Sequence, residues 1–227
     1  LAGERDTLGH YLSGHPLDPY RDELAALVGS DLGQLDALWA AGQNNGAPKE
    51  GRSWRPETTV IIAGQVGGIR KRGESQAFVS LEDGRGRIEC AFFAEAYFEF
   101  AQLLTRDRIL IVEGGLREDE FSGGFSLRAR RCWDFHQVCP QSAKRLNLRL
   151  DLRVAGVLDR IEALLAQHRP GATPLRYDLL LPDGAAGTLD LNGGHSVRAD
   201  ADLIGTLRAQ PGVRAVKLAM GSRPWAG

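Results

Sequence analysis

The sequence contains few cysteines and no long apolar run. Three cysteines, Cys90, Cys132 and Cys139, stand among 227 residues. So sparse and odd a set argues against a disulfide framework and predicts a reducing compartment, the cytoplasm. Apolar runs such as 109–112 are strand-sized, whereas a membrane span needs about 20 residues. Residues 1–6 also lack a basic region leading into an apolar one, so we expect neither a secretory signal nor a membrane partner.

Neither sign of charge dominates the chain, because 28 basic residues stand against 29 acidic ones. A strongly basic composition would indicate nucleic-acid binding over much of the surface, so this balance confines any such binding to a local patch. Residues 1–57 hold 5 basic and 9 acidic residues, 58–143 hold 11 and 12, and 144–227 hold 12 and 8. The last segment is therefore the basic one.

The first segments of the chain differ in pattern. Residues 1–40 have apolar positions at helical spacing and predict short helices at 4–13, at 19–28 and up to about 39. Residues 41–57 are rich in Gly, Asn and Pro and predict a linker. From residue 58 the pattern becomes β-branched and alternating, and it predicts five strands with one helix, at 58–69, 77–82, 87–93, 95–104 (the helix), 108–114 and 125–134.

A helix between the third and fourth of five strands is the connectivity of the OB-fold, a small barrel that binds oligonucleotides or oligosaccharides. We therefore predict an OB-fold over 58–137, with another kind of small barrel as the alternative. Residues 146–227 alternate strand and helix patterns, with Asp200 as a helix N-cap, and predict a separate α+β domain. The predicted fold class is mixed: a helical segment, a five-stranded OB-fold barrel and a small α+β domain.

Cations and aromatic rings on the predicted barrel form a candidate nucleic-acid site. Arg70, Lys71 and Arg72 lie between strands one and two, in the loop that commonly closes over the ligand of an OB-fold. Lysine and arginine contact phosphates, and exposed rings stack on bases. The alternation of strands two and three turns their other apolar residues inward and leaves two phenylalanines outward. The predicted DNA-binding residues are Arg70, Lys71, Arg72, Phe78, Arg85, Arg87, Phe93, Arg128 and Arg130. The alternatives are a solvated hairpin tip for the cations and core packing for the rings.

We find no motif for catalysis, metal binding or nucleotide binding. Residues 68–73 have the glycine spacing of a P-loop, but Glu74 and Ser75 replace its Lys and Ser/Thr, and a strand follows where a P-loop opens a helix. Cys132, His136 and Cys139 are spaced C-x3-H-x2-C but lack a fourth ligand, and an unpaired cysteine in a strand is more typical of a small buried apolar residue. We therefore predict no catalytic residue, no metal and no cofactor.

Four strings of the sequence carry a resemblance to a known family. They are ERDTLGHYLSGHPL at 4–17, LEDGRGRIE at 81–89, RDRILIVEG at 106–114 and FSGGF at 121–125. In order and spacing they resemble the C-terminal third of the α subunit of bacterial DNA polymerase III. The resemblance covers residues 1 to about 135. Residues 146–227 match only in pattern, and the ending MGSRPWAG departs from the acidic, apolar ending of relatives.

The resemblance implies that residues 1–40 follow the polymerase fingers, that the middle is the family's OB domain and that 146–227 is its τ-binding domain. It places the palm aspartates, the phosphoesterase-like domain and the motif that binds the sliding clamp upstream of this chain. The chain would then be a non-catalytic part of a DNA-directed DNA polymerase, a nucleotidyltransferase.

The implied partners are single-stranded DNA and the τ subunit of the clamp loader, with the sliding clamp and the proofreading exonuclease reached through the parent protein. The alternative function is a barrel that serves as a protein-interaction platform in the replisome, without DNA contact.

Overall fold

The computed structural model describes residues 15–45, 57–119, 123–191, 193–221, 223 and 225. The chain divides into two compact units, one ending at Phe135 and one beginning at His136. Among the described residues, no helix combines the length and apolar character needed to cross a membrane.

The first unit begins with short helices: a 3-10 turn at Asp18–Tyr20, α1 at Arg21–Val28, a second 3-10 turn at Leu32–Gln34 and α2 at Leu35–Asn45. The helix α2 runs five residues into the range predicted as a linker. A Cβ at Gly42 would lie 1.9 Å from Cγ2 of Thr58, so glycine lets the helix approach the first strand closely, and this packing extends the helix. Residues 46–56, like the predicted helix at 4–13, lie outside the described residues.

Five strands form the closed barrel of the first unit, and the predicted OB-fold is confirmed. Their order around the barrel is β1-β2-β3-β5-β4, with β3 and β5 parallel and the other neighbours antiparallel. A helix stands between the third and fourth strands. The bounds are β1 Thr58–Lys71, β2 Gln76–Glu82, β3 Arg87–Phe93, α3 Ala94–Phe100 with a 3-10 turn Ala101–Leu103, β4 Ile109–Asp119 and β5 Gly124–Asp134.

Alternating side chains from every strand fill the barrel interior. On β2, Val79 and Leu81 are fully buried, and on β3, Ile88, Cys90 and Phe92 are buried in the same way. Burying a large aliphatic side chain contributes about 1.5–3 kcal/mol, so this alternation fixes which face of each strand turns outward. The buried side chains of β2 and β3 therefore determine which of their other side chains face outward.

The helical segment docks on the turn between β2 and β3. Asp83 in that turn is buried, and its carboxylate accepts hydrogen bonds from the backbone N–H groups of Leu32, Arg85 and Gly86, each at 2.8 Å. A Cβ at Gly86 would lie 2.4 Å from the carbonyl oxygen of Leu32, so the two backbones meet at a distance that only glycine permits. The turn is thus a docking point rather than an open loop.

The second unit is an α+β sheet structure, and the predicted class is confirmed. Its sheet order is β8-β7-β6-β9, with β6 and β7 parallel. Asp200 caps the last helix, as predicted, by accepting a hydrogen bond from the N–H of Leu203 at 3.0 Å. The strand predicted from 146 begins three residues earlier. The bounds are α4 Phe135–Ser142, β6 Ala143–Asp151, α5 Val157–Ala166, β7 Leu175–Leu180, β8 Ala186–Leu191, α6 Ala201–Arg208 and β9 Val213–Met220.

Asp151 at the end of β6 is a buried charged residue, with 1% of its surface exposed. Arg153 donates to its carboxylate from Nε at 2.8 Å and from Nη2 at 2.7 Å, and Arg214 donates from Nη2 at 2.6 Å. The hydrogen bonds from Arg153 and then from Arg214 hold the pKa of Asp151 well below its usual range. The two arginines thus keep this carboxylate ionised and satisfied.

Candidate nucleic-acid interface

A row of paired residues crosses the outside of the barrel. Arg70 of β1 pairs with Phe78 of β2, Phe78 pairs with Ala91 of β3, and Ala91 pairs with Arg128 of β5. Residues directly opposite each other in adjacent strands share a face of the sheet. The row therefore brings three predicted residues, which are up to 58 positions apart in the numbering, onto one outward surface.

The rings of Phe78 and Phe93 lie outside the buried core. Both are half-buried, whereas their neighbours Val79 and Phe92 are completely buried. The ring centroids are 5.9 Å apart and the planes meet at 88°, an edge-to-face contact. Both rings thus lie on the outward strand face, the side on which the alternation predicts them.

The cations at the end of β1 line an open groove together with Phe78. The groove has a volume of about 630 Å³, and its walls are formed by Arg70, Lys71, Arg72 and Phe78. The sequence predicted that the three cations form a loop, but Arg70 and Lys71 belong to β1, because pairing with β2 continues to Lys71 opposite Ala77. The turn begins only at Arg72, whose N–H donates to the carbonyl of Gln76 at 3.0 Å.

Three of the predicted arginines form ion pairs with carboxylates. Nη2 of Arg70 lies 2.7 Å from Oε2 of Glu89, and the Arg70 side chain is 72% exposed. Arg85 pairs with Asp31 of the helical segment. These pairs reduce the positive charge that the predicted site offers to phosphate.

Arg130 is the third paired arginine, and it shares the carboxylate of Glu57 with Arg117 of β4. Arg130 donates to Oε1, and Arg117 donates to Oε2 from Nε at 2.9 Å. Glu57 comes just before β1, so the shared carboxylate joins the start of the barrel to β4 and β5. Arg130 therefore has a structural contact in addition to its predicted role.

Four predicted cations are exposed and form no ion pair with another described residue: Lys71, Arg72, Arg87 and Arg128. Arg87 instead donates from Nε to the hydroxyl of Ser80 at 2.6 Å, which orients its guanidinium without neutralising it. Lys71 and Arg72 stand together at the β1 end, and Arg128 completes the row across the face. The unneutralised charge thus lies at the β1–β2 end, at Arg128 in the row, and at Arg87, which is opposite Glu82 at the start of β3.

Glu89 is the residue of this face that sequence reasoning missed. It is opposite Ser80 on β2 and Ser126 on β5, and 46% of its side chain is exposed. The signal was present in the alternation of β3, where Arg87, Glu89 and Ala91 share one face. A carboxylate therefore lies within the cationic surface.

The predicted absence of a metal site concerned Cys132, His136 and Cys139. Within the described ranges, no group of three or more His, Cys, Asp or Glu side chains could hold a metal ion. Burial raises the pKa of the Cys132 thiol to about 12, so this thiol stays protonated. Cys132 is part of the barrel core.

Comparison with protein families finds a match that covers the barrel. A family described as OB-fold nucleic acid binding domain matches residues 60–134. That range contains all nine predicted site residues.

Comparison with curated proteins finds relatives named DNA polymerase III subunit alpha. The one from Xylella fastidiosa is 54% identical over 99% of this chain and 19% of its own length. Those from Pseudomonas aeruginosa and Escherichia coli are each 34% identical, over 93% and 77% of this chain and over 17% and 14% of their own lengths. The chain spans about a fifth or less of the length of these relatives.

Proposed function

We propose, since this chain belongs to the DNA polymerase III α-subunit family, that its barrel binds single-stranded DNA during replication. The observation that carries the proposal is the row from Arg70 through Phe78 to Arg128, with Lys71 and Arg72 at its end. Cations that follow a backbone and rings that stack on bases are what single-strand binding surfaces share.

The expected affinity and its salt dependence follow from the cations that form no ion pair and from the rings on the outward strand face. Each phosphate contact contributes roughly 0.7 to the slope of log affinity against log salt, so four unpaired cations give a slope of at most about 3. Stacking on an aromatic ring contributes about 1–3 kcal/mol per base. The chain alone should therefore bind weakly and with a marked salt dependence.

The experiment is fluorescence anisotropy of labelled oligo-dT with the purified chain, at about 50 mM and about 200 mM salt. We expect affinity to fall as salt rises, and unlabelled single strand to compete for the site. Binding that is absent, or that does not respond to salt, would contradict the proposal.

A second candidate function is favoured by the ion pairs of Arg70, Arg85 and Arg130. If these pairs leave the face close to neutral, the barrel would act as a protein-interaction platform in the replisome. The same anisotropy experiment separates the two functions, because a platform of this kind would show no salt-dependent affinity for oligo-dT. Binding to other replisome subunits would then be measured directly.

For the second unit we propose binding of a protein partner, the τ subunit of the clamp loader, as the resemblance implies. On β6 the side chains of Leu146 and Leu148 are buried, while Arg149 is exposed on the opposite face of the sheet. Lys217 of β9 is opposite Asn147 in register, which places it on that same outward face. Arg149 and Lys217 form no ion pair with other described residues, so the face suits an acidic partner segment.

Purified τ provides the test. We expect the full chain to bind τ, and the double variant Arg149→Glu/Lys217→Glu to bind it several-fold more weakly. The matched control Lys71→Glu/Arg128→Glu makes the same charge change on the barrel and should leave τ binding unchanged. Equal affinity for all three proteins would show that this sheet face is not the binding surface.

We propose that polymerisation itself, together with association with the sliding clamp and the proofreading exonuclease, belongs to the longer protein. The chain spans about a fifth of its relatives' length, and neither a catalytic motif nor a metal-binding cluster among the described residues supports nucleotidyl transfer here. The isolated chain should add no nucleotide to a primed template in the presence of magnesium. Extension of the primer by the purified chain would overturn this part of the proposal.

A further inference from the structure

Glu89 lies within the surface that the proposed function assigns to single-stranded DNA. On its own strand, Arg87 is two positions earlier on the same face, and across the barrel the row of Arg70, Phe78 and Arg128 runs beside it. The Glu89 side chain is 46% exposed, so water can hydrate its carboxylate and the charge does not require the ion pair with Arg70. A negative charge at this point repels a phosphate backbone.

Glu89 also determines where Arg70 is held. The guanidinium of Arg70 donates to Oε2 of Glu89 at 2.7 Å. At the same time Cζ of Arg70 lies 5.4 Å from the centroid of the Phe78 ring, within the range of a cation–π contact. Glu89 therefore engages the cation that a phosphate would contact, and this cation covers the ring on which a base would stack.

We infer that Glu89 limits the affinity of the barrel for single-stranded DNA by holding Arg70 over Phe78 and away from phosphate. The inference rests on the proposed function of the barrel and assigns Glu89 as an affinity-limiting residue within it. An entering strand competes with Glu89 for the guanidinium and with the guanidinium for the ring. Since exposed ion pairs are weak, this competition lowers the affinity by a modest factor and does not prevent binding.

The test uses the full chain, labelled oligo-dT and the conservative variant Glu89→Gln. Releasing Arg70 and removing the repulsion should tighten binding by about three- to tenfold at low salt. The freed guanidinium should also steepen the salt slope by up to roughly 0.7. The matched control is Glu99→Gln, which removes the same charge from an exposed position on α3, outside the strand face.

A double-mutant cycle shows whether Glu89 acts through Arg70. In the background of Arg70→Ala, the change Glu89→Gln should tighten binding less than it does in the unaltered chain, because only the repulsion of phosphate is then removed. If the gain is the same with and without Arg70, Glu89 acts by repulsion alone and the inferred hold on Arg70 is wrong.

The failure of this inference is distinct from the failure of the proposed function. Salt-dependent binding by the unaltered chain, with Glu89→Gln and Glu99→Gln behaving alike, would overturn the role of Glu89 and leave single-strand binding in place. No salt-dependent binding by the unaltered chain or by Glu89→Gln would overturn both. Circular dichroism of each variant confirms that the fold is retained.

Discussion

Replacing Lys71 and Arg72 together with alanine removes two exposed cations from the groove at the β1–β2 end. Neither side chain forms an ion pair with a described residue, and the turn is closed by the backbone N–H of Arg72, which the substitution keeps. The fold should therefore be retained. Any change in DNA binding then reports on the two charges.

The magnitude follows from the two phosphates that the variant can no longer neutralise. At roughly 0.7 for each phosphate, the salt slope flattens by about 1.4, which corresponds to a roughly sevenfold smaller change in affinity between about 50 mM and about 200 mM salt. Arg70 should contribute less than either of these residues, because Glu89 already neutralises part of its charge.

Anisotropy titrations with oligo-dT at four or more salt concentrations measure the slope. The matched control is Lys144→Ala/Lys217→Ala, which removes the same net charge from exposed positions in the second unit and should leave the slope unchanged. A double variant at Lys71 and Arg72 with an unaltered slope would refute the assignment of the β1–β2 end to phosphate binding. Equal flattening by the control would show that net charge, and not this groove, governs the affinity.

Three further outcomes are expected. Phe78→Leu should weaken oligo-dT binding by about 1–3 kcal/mol if a base stacks on the ring, whereas Phe98→Leu on α3, a ring 66% exposed but off the strand face, should leave affinity unchanged in the same titration. Gly86→Ala should lower the free energy of unfolding by about 1–3 kcal/mol, measured in urea, while Gly68→Ala, whose added Cβ meets nothing within 4 Å, should cost far less. Because folding depresses the pKa of Asp151, its stabilising contribution is complete well above the ordinary carboxyl pKa of 3.8 and is lost as the pH falls through that value toward the lower pKa of the folded state. Urea unfolding should therefore show an advantage over Asp151→Asn that is constant from about pH 7 to about pH 5 and shrinks between about pH 5 and about pH 2. A difference that stays constant down to about pH 2 would contradict the linkage.

The barrel was predictable from the sequence because its signals are local. Strand alternation separates Phe78 and Phe93 from the buried Val79 and Phe92, and the helix between the third and fourth strands identifies the connectivity. Hydrophobic burial determines both features, and burial has a period that can be read along the chain.

The lengths of β4 and α2 were not predictable in the same way. The fourth strand was predicted to end at residue 114, yet β4 continues to Asp119 because Glu118 and Asp119 pair with Phe125 and Gly124. The helix α2 likewise continues to Asn45 through its packing near Thr58. Tertiary pairing overrides local polarity in both places.

The charge of the candidate site depends on contacts between distant residues. Arg85 and Asp31 are 54 positions apart, and Arg130 and Glu57 are 73 positions apart. No local spacing connects them, so the sequence presents every arginine as equally available. The distinction between the paired and unpaired cations requires the structure.

The position of Glu57 has a practical consequence for work on the isolated barrel. A fragment trimmed to begin at Thr58 would lack the carboxylate that Arg117 of β4 and Arg130 of β5 share, and both guanidinium groups would then lose this ion pair. Such a fragment would lose stability and would display both guanidinium groups uncompensated. Its affinity for any polyanion would therefore overstate that of the intact chain, and a minimal barrel has to start upstream of this glutamate.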